Sequence, residues 1–301
     1  MSSDRKEAYL GNMNLKRSGV DIEYTAEHAE EYIKCAQDPL YFFENYIKIV
    51  NLDKGLVLFE PYDFQKDIID LSVKERFVIC KLPRQSGKTT TIAAVLLWYV
   101  LFTKNFSIAI LANKMQQSRE ILSRIQLAYE HLPKWLQQGV IEWNKGNIEL
   151  ENGSKILASA TSSSAVRGGS FNLIYMDELA FVSPNIQEEF FASVYPTISS
   201  GKTSKILITS TPNGLDMFYR IWSDSEQGKN SYKRVEVNWW DVPGRDEKFK
   251  EETIANTSEE QWRVEFECVA GETMITVRDK KTNKIKNVRI DDFMDMLSVS
   301  S

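Results

Sequence analysis

One nine-residue stretch limits the folds open to this chain more than any other: LPRQSGKTT, residues 82–90. It follows an apolar, β-branched run, RFVICKL (76–82), and opens a helical pattern, KTTTIAAVLLWYVLF. A loop that cradles phosphate needs backbone N–H groups converging on an anion at a helix N-terminus. It also needs a lysine for the β- and γ-phosphates and a hydroxyl for magnesium. Gly87, Lys88 and Thr89 supply that pattern, flanked by Gln85, Ser86 and Thr90 as further ATP-binding candidates. Leu82 stands where the first glycine of GxxxxGK[ST] would be. GKT alone recurs by chance. A strand before it and an amphipathic helix after it favour a phosphate loop over a glycine-capped helix start.

The rest of the middle region alternates short β-branched runs with longer helical patterns. SIAILAN (107–113), KILASAT (155–161), NLIYMD (172–177) and KILITST (205–211) read as further strands. QSREILSRIQLAYEHL and IQEEFFASVYPTI read as helices between them. Such alternation predicts an α/β fold with a mostly parallel, doubly covered sheet. IEWNKGNIEL and GSKILASA, joined through ENG, read as an inserted hairpin turned at Asn152-Gly153. Residues 1 to about 20 are polar and are expected to be poorly ordered, whereas 25–49 suggests two short helices. After Pro212 the pattern loosens and turns aromatic, which predicts a small accessory subdomain apart from the sheet.

Three sets of side chains complete the chemistry. NLIYMDEL ends an apolar strand in two acids, at the edge where ligands of open α/β sheets bind. Asp177 suits magnesium, and Glu178 suits the polarising of an attacking water. LITSTPNG places Thr209, Ser210 and Thr211 at the end of another strand, as γ-phosphate sensors or simply as a strand closing in a Pro-Asn-Gly turn. Gln65, just upstream of the phosphate-loop strand, is a candidate reader of the adenine edge, against a plain surface-helix glutamine. Arg84 and Arg167 are candidate arginine fingers, from within the chain or from a neighbour, against exposed structural arginines. His28 and His131 lack metal-like partners and read as surface residues.

These residues together resemble the ATPase domain of the large terminase subunit of myovirus-type tailed bacteriophages. FEPYDFQKDII, LPRQSGKTT, WNKGNIELENGS, SAVRGGSFNLIYMDELAF, PTISSGKTSKILITSTPNGLDMFYRIW and SEEQWRVEFE carry the likeness, from about residue 39 to 266. The RQxGKT form without its first glycine is itself typical of terminases. The resemblance implies that Gln65 contacts adenine, and that Arg84, Gly87, Lys88 and Thr89 form the phosphate loop. It implies the roles above for Asp177 and Glu178, and that Thr209, Ser210 and Thr211 couple hydrolysis to movement. Members of the family differ over whether the loop arginine or one placed like Arg167 is the finger, so both are carried. ATP and Mg2+ are the implied cofactors. The implied partners are double-stranded DNA, a portal protein, a small terminase subunit and further copies of the chain in a ring. The implied location is the cytoplasm of the infected host rather than the mature virion. A helicase-like ATPase of superfamily two is the rival enzyme reading. Its extended DExH/D box is not matched by DELA, and no second motor domain follows. A non-enzymatic nucleotide switch is disfavoured by Glu178.

At Cys268 the pattern changes. CVAGETMITVRDKKTNKIKNVRIDDFMDML resembles the N-terminal segment of an intein: a starting cysteine, Gly-Glu-Thr ending at Thr273, a strand, a polar turn and a second strand. The resemblance implies that Cys268 attacks the preceding carbonyl and converts the Glu267–Cys268 bond into a thioester. The alternative is a buried thiol in a local hairpin. No histidine or terminal His-Asn follows Cys268; Thr25-Ala-Glu-His28 matches TxxH but lies far upstream. Splicing is therefore expected in trans, with a second chain carrying the other intein piece and the ribonuclease H-type nuclease, or else the sequence is truncated. The expected organisation is 1–58, an N-terminal arm and helical part of the accessory subdomain; 59–215, the phosphate-loop ATPase core; 216–267, the accessory lid; and 268–301, the short β-rich intein fragment.

Bulk properties exclude other classes. The 301 residues carry a formal net charge of −5, so any DNA contact is expected to be local or to come from parts outside this sequence. Three scattered cysteines, Cys35, Cys80 and Cys268, form neither a zinc pattern nor a disulfide framework. The longest apolar stretch, AAVLLWYVLF, is too short to span a bilayer, so no membrane role is expected.

Overall fold

A computed structural model describes residues 6–51, 53–161, 169–214, 216–267, 274–278 and 285–289. An N-terminal hairpin, β1 (Ala8–Tyr9) and β2 (Asn12–Lys16), precedes helices α1 (Ala26–Gln37) and α2 (Pro39–Tyr46). A second hairpin, β3 (Lys48–Asn51) and β4 (Gly55–Leu58), leads to α3 (Asp63–Lys74), β5 (Phe77–Lys81), α4 (Lys88–Phe102), β6 (Ser107–Ala112) and α5 (Met115–Glu130). The meander β7 (Val140–Trp143), β8 (Asn147–Leu150) and β9 (Lys155–Ala160) follows, then β10 (Leu173–Asp177), α6 (Pro184–Ser200) and β11 (Lys205–Ser210). Next come α7 (Met217–Glu226), β12 (Lys233–Glu236), α8 (Glu247–Asn256) and α9 (Glu259–Trp262). A separate antiparallel hairpin pairs β13 (Met274–Arg278) with β14 (Ile285–Arg289).

The central sheet has eight strands in the order β12-β5-β11-β10-β6-β9-β8-β7. The first six run parallel; β8 is antiparallel to β9, and β7 is antiparallel to β8. All five strands expected from the sequence lie in it. Their continuous apolar runs are explained by two covered faces, since successive side chains point to opposite sides. Val78, Cys80, Ile108, Ile110, Leu173, Tyr175 and Leu207 pack into one cluster. Their neighbours Phe77, Ile79, Ala109, Leu111, Ile174, Met176, Ile206 and Ile208 pack into the other.

Helix α4 spans the expected residues but is not amphipathic: twelve of its fifteen residues are buried. A helix apolar all round belongs inside. It is covered by the sheet, by α5 and by the N-terminal helices; Trp98 Nε1 donates to Cys35 O at 2.9 Å.

Three regions differ from the expectation. Residues 8–16 are ordered as a hairpin: Leu15 is 2% exposed, and Lys16 pairs with Glu151 at 3.0 Å. The anchor lies 135 residues away in sequence, beyond the reach of local pattern. Helices α1 and α2 do not form part of a separate accessory unit, because Cys35, Phe42, Phe43 and Ile47 belong to the same buried cluster as α4. The stretch after Pro212 is not wholly apart from the sheet either, since β12 pairs in parallel with β5 as its edge strand. Lys81 and Glu236 form an ion pair across that edge. The hairpin at Asn152-Gly153 is present, with Gly153 at φ +81, but its second strand, β9, is an integral sheet strand beside β6. Beyond β12 an aromatic mini-core does form, with Trp262 stacked on Phe266 at 4.5 Å and edge-on to Trp239 at 5.2 Å.

Candidate active site at the carboxyl edge of the sheet

Parallel strands end together, so whatever follows each one meets its neighbours' ends. Asp177 is in register with Thr209, Thr209 with Cys80, and Ser210 with Lys81. The phosphate loop, the acid pair and the hydroxyl run therefore converge at one edge.

The loop turns tightly, with Gln85 at φ +56 and Gly87 at φ +77 as the N-cap of α4. Lys88, on the first turn of α4, is 7% exposed and ion-paired with Glu178. Glu178 sits at φ +51, a left-handed conformation that costs a non-glycine residue roughly 1–3 kcal/mol and recurs at functional sites. Its second carboxylate oxygen accepts from Thr211 N at 3.3 Å.

Asp177 is 7% exposed, and its Oδ1 accepts from Tyr175 Oη and Thr209 Oγ1, each at 2.9 Å. Burial raises its pKa above the usual 3.8, with the Lys88 ammonium opposing and the Glu178 charge adding to that rise. Ser210 Oγ accepts from Ala180 N at 3.1 Å. Thr211 Oγ1 donates to Leu82 O at 3.2 Å. The three hydroxyls thus touch the first acid, the backbone just after the second, and the start of the phosphate loop.

Thr89 is half-buried, and its hydroxyl has no partner among the described residues. Together with Asp177 it offers oxygen ligands near the phosphate loop. Magnesium is usually held by one or two protein oxygens with phosphate and water completing the shell, so this donor set fits it. Thr90 Oγ1 instead accepts from Arg124 Nη1 at 3.2 Å.

Gln65 is 2% exposed rather than a surface residue. Its Oε1 accepts from Tyr62 N at 2.9 Å and its Nε2 donates to Ser86 O at 3.2 Å, leaving one N–H and one lone pair. A Cβ at Gly87 would lie 2.5 Å from Gln65 Nε2, so a larger residue would have to displace that amide besides adopting a positive φ. Arg84 is turned away from the acids, its Nη1 2.9 Å from Glu265 Oε1 and its side chain 64% exposed. Arg167 and Cys268 lie outside the described residues. The TAEH match is a helix cap: Thr25 Oγ1 accepts from His28 N at 3.2 Å, and His28 stacks on Trp135.

Two features went unread in the sequence. A cavity of about 640 Å³ opens beside the loop, walled by the β3–β4 hairpin, the Phe59–Gln65 approach, Gln85–Gly87 and residues 242–249. Arg245 lines it, donating Nη2 to Arg84 O at 2.8 Å and Gln85 O at 3.0 Å. GRD in an aromatic stretch was the available signal, and distance in sequence hid it. Among the described residues no helix is long and apolar enough to cross a membrane.

An α/β sheet with a GKT loop, a buried aspartate followed by a half-buried glutamate, and a neighbouring cavity has the features of a nucleotide-binding class of protein. The chain belongs to the terminase large subunit family, T4-like virus type, N-terminal region, whose profile matches residues 79–280. That match runs past Cys268. The chain is 26% identical over 203 residues to tripartite terminase subunit 3 of human cytomegalovirus (strain Merlin), covering 64% of this chain and 29% of that protein. It resembles the crystal structure of the bacteriophage HK97 large terminase with a TM-score of 0.65 at 19% identity, over 80% of this chain and 56% of that one. It resembles the ATPase domain of the Thermus phage P74-26 large terminase with a TM-score of 0.57 at 20% identity, over 70% of this chain and 95% of that one. The chain thus spans under a third of the herpesvirus relative and just over half of the HK97 chain.

Proposed function

We propose that this chain is the ATP-hydrolysing motor part of a terminase, using hydrolysis to drive double-stranded viral DNA into a procapsid. The observation that carries this reading is the convergence of Lys88, Asp177, Glu178 and the Thr209–Thr211 hydroxyls at one sheet edge. The loop amides and Lys88 bind the β- and γ-phosphates. As the Lys88 ammonium turns to the phosphates it leaves Glu178, whose carboxylate then orients a water and takes its proton. The water oxygen bonds to the γ-phosphorus, the bond from γ-phosphorus to the bridging oxygen breaks, and ADP leaves with that electron pair. Thr89 and Asp177 would hold a magnesium ion, which would supply positive charge to neutralise the phosphates. Gln65 steadies the loop from the adenine side. Thr209, Ser210 and Thr211 carry the loss of γ-phosphate to the loop and the acids. Arg84, or Arg167, supplies positive charge to the transition state. Residues 59–215 form the hydrolytic core and 216–267, apart from the edge strand β12, the lid. Portal protein, small terminase subunit and further copies of the chain in a ring in the infected cell are the partners that this activity requires. The test is ATP turnover by the purified chain with Mg2+: Lys88→Ala and Glu178→Ala should abolish it while far-UV circular dichroism is unchanged. Full turnover in Glu178→Ala would remove it as the base.

A second reading concerns residues 268–301. We infer that Cys268 is a splicing nucleophile, supported by its place ahead of Gly-Glu-Thr and by the antiparallel strand pair β13 and β14 further along the chain. Co-expression with a chain carrying an intein C-terminal fragment and a nuclease domain, read by intact mass, should give a ligated product that Cys268→Ala removes. Ligation that persists in Cys268→Ala, or none with the native cysteine, overturns the assignment.

A further inference from the structure

Among the described residues, the three peptide units from Arg84 to Gly87 are hydrogen-bonded through their oxygens only. Arg245 Nη2 holds the carbonyl oxygens of Arg84 and Gln85, and Gln65 Nε2 holds that of Ser86. The N–H groups of the same three peptide units, those of Gln85, Ser86 and Gly87, donate to nothing among the described residues. A trans peptide directs its C=O and N–H to opposite sides. Fixing three successive oxygens on the outside therefore turns three successive hydrogens the other way. Consecutive N–H groups on left-handed and right-handed residues form an anion nest, and Gln85 and Gly87 are the left-handed members.

Two of those three peptides are held by a residue that is not part of the loop. Arg245 follows Gly244 in the 239–267 segment, 161 residues from Arg84. Its guanidinium lies 5.3 Å from the Phe249 ring and 5.2 Å from the Phe266 ring, which fixes its plane. The same segment grips the loop a second time, through Arg84 N to Glu265 O at 3.0 Å.

We propose that Arg245 is a positioning residue that pre-forms the phosphate nest from behind, so that phosphate affinity depends on the lid segment being seated. The inference rests on the nucleotide-site reading and goes beyond it, because it concerns the polyphosphate and not the adenosine. Arg245 also lines the cavity beside the loop, so the experiment must separate the two roles. Binding of ATP and of pyrophosphate, which has no adenosine, is measured calorimetrically for the wild type, Arg245→Ala and Arg245→Lys, with thermal unfolding of each.

Losing the charge-assisted bonds to both carbonyls should weaken ATP and pyrophosphate alike, by roughly 10- to 100-fold in Arg245→Ala. Arg245→Lys, which keeps the stem on Phe249 and one cation, should fall between. Millimolar guanidinium should restore pyrophosphate binding to the alanine variant, which a general loss of structure would not allow. Weakened ATP binding with unchanged pyrophosphate binding would make Arg245 an adenosine contact and overturn the proposal, as would unchanged binding of both. A wild-type chain that binds neither would instead overturn the nucleotide-site reading itself.

Discussion

The ammonium of Lys88 and the carboxylate of Glu178 form an ion pair across 90 residues of sequence, joining the first turn of α4 to the carboxyl end of β10. In the mechanism proposed above ATP needs both groups, one for its phosphates and one for the attacking water. In Glu178→Gln the lysine loses its competitor. ATP affinity should hold or tighten while single-turnover hydrolysis falls about 10²- to 10⁴-fold, the usual worth of a general base. Hydrolysis within threefold of the wild type would count against Glu178.

Arg84 is paired with Glu265, outside the acidic centre. If it serves as the finger it must leave that partner, and Glu265→Ala should raise turnover or leave it unchanged. Arg84→Ala should lower turnover on the order of 10³-fold, with ATP affinity little altered. An undiminished rate in Arg84→Ala, together with a collapse in Arg167→Ala, would assign the finger to Arg167.

Thr211 binds both Leu82 O, through its hydroxyl, and Glu178, through its N–H. Thr211→Val removes the first bond and keeps the second. Hydrolysis should persist at about a tenth of the wild-type rate or better, because the base is still held. DNA translocation in a packaging assay should fall much further. Parallel losses in both assays would argue that the hydroxyl serves chemistry alone.

Burial raises the Asp177 carboxyl above its ordinary value of 3.8. A group whose folded pKa is raised favours the folded chain fully below its unfolded pKa and loses that contribution as pH rises through the folded value. Asp177→Asn keeps an acceptor for Tyr175 and Thr209 without the buried charge. The variant should be more stable than the wild type in urea at pH 7, with the gap closing as pH falls toward about 4. A gap that stays constant with pH would mean that ionisation of Asp177 does not govern it.

Much of the sheet was legible because each central strand is covered on both faces. FVICK, SIAILA and LIYMD are apolar but for one terminal residue each, and only a doubly covered strand accepts such a run. The phosphate loop and acid pair were legible for a similar reason: the chemistry demands particular residues next to a strand end. β12 escaped notice because KRVE buries one residue of four, being an edge strand. The N-terminal hairpin escaped because Asn14 and Lys16 find their partners more than 100 residues away.

The sequence alone determined the α/β class and named Gly87, Lys88, Asp177 and Glu178, since strand periodicity and strand-end chemistry are local. Only the tertiary structure decided that Gln65 and Arg245 grip the loop from outside, that Arg84 faces Glu265, and that Thr90 turns to Arg124. A hydrogen bond is made wherever the folded chain brings donor and acceptor within about 3 Å, and spacing along the sequence carries no record of that distance.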